Sequence, residues 1–137
     1  MKIVYNFGFR SFMKAAILVE QKKPLIVDSV SLPTELDIGQ VLVKINVSGI
    51  CGSQIGEING VKGEDKYLPH LMGHEGCGTI LETGPGVKFL KKNDLVVLHW
   101  RKGKGIDSEV PKYLWKGKNL NAGWVTTFNS HAVVSEN

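Results

Sequence analysis

The chain has only two cysteines, Cys51 and Cys77, too few for the disulfide framework of a small secreted domain. That scarcity agrees with a reducing, cytoplasmic compartment and leaves each thiol free for packing or for a metal. No apolar run reaches the roughly 18–20 residues that a membrane helix needs, so no membrane partner is expected. Residues 1–12 mix Lys2, Asn6, Gly8 and Arg10 into their apolar positions and lack the unbroken apolar stretch of a secretory signal. Also missing are a G-x-G-x-x-G following a strand, a strand-helix alternation and a P-loop. A dinucleotide therefore has no evident site within these 137 residues.

What is present reads as one globular unit. A hydrophobic share of 42% against 22% charged residues is enough to bury a core, and the glycines and prolines are scattered as turns between short apolar runs. The periodicity is of the strand type. From Gln40 to Ser48, Val41, Val43, Ile45 and Val47 alternate with Leu42, Lys44, Asn46 and Ser48, the pattern of a half-buried strand. Met13–Val19 and Leu25–Val30, separated by a polar turn ending in Pro24, predict a hairpin or meander; Thr79–Thr83, Leu95–His99, Trp124–Phe128 and His131–Val134 predict further short strands. Asn93, before Asp94, is a residue that tolerates the left-handed turn conformation. Many short strands with no long amphipathic helix imply a mainly β, barrel-like domain.

The charge is uneven. Arg101, Lys102, Lys104, Lys112, Lys116 and Lys118 stand against Asp107 and Glu109, so the net +4 of the chain resides between residues 101 and 118. A solvated surface loop and an anion contact both fit this stretch. Its narrow basic face, with only Trp100, Tyr113 and Trp115 interleaved, argues against nucleic acid as a partner.

Two segments hold the chemistry, Gly49-Ile50-Cys51-Gly52-Ser53-Gln54 and Gly73-His74-Glu75-Gly76-Cys77-Gly78. Zinc is held by thiolate, imidazole and carboxylate, and catalytic sites use three protein ligands with the fourth position open. Cys51, His74 and Glu75 are of those types, and their flanking glycines let two loops approach one ion closely. Spacing alone leaves other readings open: a small buried thiol and a hydrogen-bonded histidine.

The ordered set of segments resembles the zinc-dependent medium-chain alcohol dehydrogenase family. The resemblance runs from Met13-Lys14-Ala15-Ala16, through Val43–Ser53 and Leu68–Ile80 with its G-H-E-x-x-G pattern, to Gly84-Pro85-Gly86-Val87, Asp94-Leu95-Val96 and the stretch from Gly123 to Val134. It implies a GroES-like irregular barrel of short strands with one or two short helices over residues 13–137, preceded by an N-terminal extension over 1–12, and no nucleotide-binding domain in this chain. It further implies that Cys51 and His74 ligate a catalytic zinc, that Glu75 is an alternating ligand or neighbouring carboxylate, and that Ser53 relays the substrate's proton. The corresponding activity is an NAD(P)-linked oxidation of an alcohol, or reduction of an aldehyde or ketone, in which zinc polarises the substrate oxygen.

Departures from the family pattern shape the expectation. The family's remaining catalytic ligand has no counterpart here, so the zinc site is incomplete. The four clustered cysteines of the structural-zinc lobe are absent, and Cys77 reads as a packed thiol. Gln54 stands where the family commonly has an acidic residue, which puts in doubt any charge pairing that residue would make with the missing part of the chain. The chain alone is expected to be inactive, with NAD(P) bound only if a Rossmann domain is supplied elsewhere; the expected protein partner is a separate nucleotide-binding chain, or a second copy of this chain that covers its exposed edge strands. The competing expectation is a non-catalytic GroES-like binding module that uses the 101–118 loop.

Overall fold

The computed structural model describes residues 11–137; residues 1–10, most of the expected N-terminal extension, lie outside the described residues. Two antiparallel sheets make the frame. The first has the order β4-β1-β2-β7-β8, formed by His70–Leu71, Phe12–Leu18, Ile26–Ser31, Tyr113–Trp115 and Lys118–Leu120. The second has the order β6-β5-β3-β9, formed by Leu95–Leu98, Gly76–Thr83, Gln40–Ser48 and His131–Ser135. Among the described residues a single short helix, α1 (Gly52–Ile58), follows β3. No helix among the described residues is long and apolar enough to cross a membrane. The mainly β, GroES-like barrel with a short helix is the architecture that the sequence implied.

Each sheet has its own apolar centre. Met13, Ile17, Val30, Leu71, Tyr113 and Leu120 pack on the first, and Val41, Val43, Ile80, Leu98 and Ala132 on the second. The alternation in β3 explains its burial as far as Val43; beyond Ile45 a bulge against β5 breaks the register, and Val47 turns out to solvent. The sheets are stitched where the chain enters β9. Ser130 N–H donates to Lys14 O at 2.7 Å, Ala16 N–H to Phe128 O at 2.8 Å and Ile45 N–H to Ser130 O at 2.9 Å. Glu136, at the chain's end, accepts from the backbone N–H groups of Lys88, Phe89 and Ile106 and so fastens two loops to this edge.

Two sequence expectations are corrected. Trp124–Phe128 is not a strand: the N–H groups of Thr127 and Phe128 both converge on Met72 O at 3.0 Å, so the segment wraps around Gly73 instead of running along a neighbour. The basic stretch is not merely a loop. It contains β7 and the start of β8, joined by a tight turn at Lys116 and Gly117, both at positive φ, which matches the twist of a hairpin. Lysines hide this hairpin in the sequence, because its buried face rests on Tyr113 and Leu120 with Trp115 partly buried beside them. Trp115 Nε1–H donates to Asp28 Oδ2 at 2.9 Å and pins it to β2. Asn93 does take the left-handed conformation, at φ 74°.

Tyr113 ties the sheets together. Its ring is wholly buried on the first sheet and its hydroxyl oxygen accepts from Val133 N–H, on the outer edge of β9 in the second, at 2.9 Å. Tyr113→Phe leaves that N–H without a partner and is expected to cost about 1–3 kcal/mol in urea unfolding. Burial pushes the phenol up to about 12, above the ordinary value near 10. Because the folded value is the higher, the contribution of the neutral phenol is complete below about pH 10 and is lost as pH rises towards about 12. The stability gap between wild type and Tyr113→Phe should therefore narrow across that window; a gap that stays constant would show that the phenol does not titrate there.

Candidate metal centre

The register of β3 on β5 brings the two glycine-rich segments together. Ser48 lies opposite Gly76, so the residues leaving β3 and those entering β5 emerge side by side, and Gly49 N–H donates to Glu75 O at 3.0 Å. Both crossings are close, and at Gly73 the backbone requires glycine. A Cβ on Gly49 would lie 2.6 Å from Glu75 Oε1, and one on Gly73, which sits at φ +90°, would lie 2.8 Å from Phe128 N. Thr127 secures the crossing from below: its hydroxyl accepts from Ser48 Oγ at 2.8 Å and donates to Glu75 O at 3.2 Å.

Cys51 is the N-cap of α1, half-buried, and Ser53 follows in the first turn. Ser53 Oγ donates to Cys51 Sγ at 3.3 Å. That bond lowers the thiol's pKa, as do the backbone N–H groups of Ser53 and Gly52; burial and the charge of Glu75 act the other way. The result is a sulfur poised towards thiolate at the start of a helix, the form that ligates metals.

His74 is held by Gln54. The Gln54 side chain is 4% exposed; its Nε2 lies 2.6 Å from His74 Nδ1, and its Oε1 accepts from Cys51 N–H at 3.4 Å. One amide thus touches both proposed ligand residues. A neutral amide makes no charge pair; what residue 54 makes inside this chain is a hydrogen bond to the histidine of the same site. The signal was in the sequence: Gln54 is three residues past the N-cap, the spacing from which a glutamine side chain reaches back to the cap's N–H.

Cys51, His74 and Glu75 do not form a closed ligand trio. Among the described residues, the trio whose ligand atoms lie within 4.8 Å of one another is Glu57, Asp65 and His70. His70 is buried, with Nδ1 2.8 Å from Leu71 O and Nε2 2.8 Å from Asp65 Oδ2 and 3.5 Å from Glu57 Oε1. Burial raises the Asp65 carboxyl, but the Tyr67 N–H and the His70 ring outweigh it and leave it lowered. His70, Glu57, Gln54 and His74 line one cavity of about 420 Å³ between α1 and β4. Cys77, on β5 between Val47 and Val97, is half-buried and belongs to neither apolar centre.

The basic stretch is partly neutralised within the chain. Lys102 pairs with Asp107 at 2.6 Å and the Lys116 ammonium lies 4.7 Å from the centroid of the Trp115 ring. His99 is exposed, its Nδ1 accepting from Arg101 N–H.

The state of Cys51 is directly measurable. The pH midpoint of its alkylation by iodoacetamide should lie below that of an ordinary thiol and move upward in Ser53→Ala, with Cys77→Ser as the background that isolates one thiol. A midpoint indifferent to Ser53 would show that the hydroxyl does not support the sulfur.

Comparison with known proteins agrees with the geometry. The model of the alcohol dehydrogenase GroES-like domain matches residues 37–137. An alcohol dehydrogenase of Geobacillus stearothermophilus is 42% identical over 88 residues, covering 64% of this chain and 26% of its own length. The NAD-dependent alcohol dehydrogenase of Sulfolobus acidocaldarius is 31% identical over 127 residues, covering 82% of this chain and 36% of its own length. The chain thus spans about a quarter to a third of these relatives. An alcohol dehydrogenase zinc-binding domain protein from Burkholderia ambifaria has the same fold, with a TM-score of 0.80 at 20% identity over 93% of this chain and 40% of its own. With the family model covering everything from the turn before β3 to Asn137, and the glycine-lined crossing inside it, the chain belongs to the alcohol dehydrogenase GroES-like domain family.

Proposed function

We propose that this chain is the zinc-holding part of an NAD(P)-linked oxidoreductase acting on an alcohol or its aldehyde or ketone, with residues 13–137 as its GroES-like unit and residues 1–12 as an extension. The observation that carries the reading is the bridge made by Gln54, which fastens the backbone of Cys51 and the ring of His74 to one buried amide. The donor chemistry fits zinc: a thiol drawn towards thiolate, an imidazole with one nitrogen fixed and the other free of Gln54, and a carboxylate at the same mouth. Cys51 and His74 would hold the metal, with Glu75 as an alternating ligand or neighbouring carboxylate. When bound there, zinc supplies a positive charge that polarises the substrate's oxygen. NAD(P) supplies the hydride acceptor or donor from a nucleotide-binding unit outside these residues.

The chain's own residues do the rest. Ser53 is exposed at the start of α1 and its hydroxyl both donates and accepts, so it can pass on the substrate's proton once turned from Cys51 Sγ. The cavity between α1 and β4, beside His74, supplies a recess for the substrate's carbon skeleton, lined by Leu71, Met72 and Val125. The lysine-rich hairpin favours no second reading: Tyr113 and Trp115 are committed to packing and to Asp28, and part of its charge is paired.

Cobalt(II) replaces zinc as a spectroscopic probe in the test. Metal-stripped protein titrated with cobalt(II) should develop a thiolate-to-cobalt charge-transfer band at one equivalent per chain. The band should be lost in Cys51→Ser, weakened at least tenfold in apparent affinity in His74→Ala, and kept in Cys77→Ser. No band in the wild type, or a band that survives Cys51→Ser, would overturn the zinc reading.

A further inference from the structure

Hydrogen-bond accounting around Gln54 reaches beyond its bridging role. An amide side chain offers one acceptor atom and one donor atom, and the two ends of Gln54 face different partners. The oxygen faces Cys51 N–H, a backbone donor at the N-cap of α1 that can only donate. The nitrogen therefore faces His74 Nδ1, and because that nitrogen can only donate, Nδ1 must accept. A neutral imidazole that accepts at Nδ1 carries its proton on Nε2. Yet Nε2 is the ring nitrogen that Gln54 leaves free, and a metal needs a lone pair there. Metal-ligating histidines ordinarily show the opposite arrangement, donating one ring N–H to a carboxylate or carbonyl so that the other nitrogen is bare.

Turning the amide over does not remove the conflict. It would let the oxygen accept from Nδ1–H, but it would point the amide nitrogen at Cys51 N–H, donor against donor, at a site where Gln54 is buried. A carboxylate at residue 54 has no such conflict, since both of its oxygens accept.

We infer that Gln54 is a positioning residue that sets the tautomer of His74, keeping the proton on Nε2 in the metal-free chain and so holding zinc affinity below what the same ligands would reach beside a carboxylate. The consequence for zinc rests on the function proposed above; the tautomer itself does not. Gln54→Glu, nearly equal in shape, is the substitution that separates the two.

The test uses the full chain, stripped of metal and labelled with ¹⁵N, in long-range ¹H–¹⁵N spectra at a pH where its histidines are neutral, with His74 assigned from the signal lost in His74→Ala. The wild type should show His74 protonated at Nε2, and Gln54→Glu should show it protonated at Nδ1. Zinc competition against a chromogenic chelator should then give Gln54→Glu an affinity about 10-fold to 100-fold tighter. A wild-type ring protonated at Nδ1, or the same tautomer in both proteins, overturns the inference, and the wild-type spectrum decides it even if the variant does not fold. The expected tautomers with zinc bound by neither protein would uphold the role of Gln54 and overturn the zinc reading instead.

Discussion

Ser48 opposite Gly76 is the pairing from which the site follows, because an antiparallel ladder lets two segments distant in the chain leave the same end of a sheet. A slip of one residue in that register would turn every side chain of β3 to the other face and carry Val41 and Val43 out of the apolar centre. The site's position is therefore secured by the burial of residues that take no part in it. The bulge past Ile45 acts at the last step: it ends the alternation and delivers Ser48 against Thr127, from which the chain passes through Gly49 to the start of α1.

The crossing tolerates almost no side-chain volume. Gly49 lies under the Glu75 side chain and Gly73 under Thr127 and Phe128, so both loops approach through backbone alone. This accounts for the irregular path of Trp124–Phe128. The N–H groups of Thr127 and Phe128 are used on Met72 O and the Thr127 hydroxyl on Glu75 O, so the segment braces the loop that carries His74.

Much of the frame was legible in the sequence where burial is one-sided. β3 alternates cleanly, and β1 and β2 are separated by a polar turn, so their pairing from Phe12–Ser31 to Ile17–Ile26 could be anticipated. The hairpin β7–β8 could not, because Lys116 and Lys118 flank its turn glycine and interrupt any apolar alternation, and its anchoring depends on Tyr113 reaching a strand of the other sheet and on Trp115 bonding Asp28. For the site, the glycines flanking Cys51 and His74 marked where two loops could meet. The link between them was missed, because an uncharged residue at position 54 was weighed for the charge it lacks and not for the two hydrogen bonds it can make at once. Likewise Glu57, Asp65 and His70 come from a helix end, a loop and a two-residue strand, and no period or motif in the sequence joins them.

The electrostatics of the mouth bear on why these groups are worth assembling. Glu75 opposes the ionisation of Cys51, while the Ser53 hydroxyl and the first N–H groups of α1 favour it. A helix of seven residues offers little beyond those local donors. The Glu75 carboxyl and the Cys51 sulfur are thus neighbours whose interaction disfavours the thiolate. A positive charge placed at that mouth would remove this opposition and favour the thiolate. The Gln54 amide, neutral and held at both ends, adds no charge there, and its effect is confined to which nitrogen of His74 is bare. The balance of charge at the sulfur and the hydrogen bonding of the ring are thus set by different residues, the first by Ser53 and Glu75 and the second by Gln54.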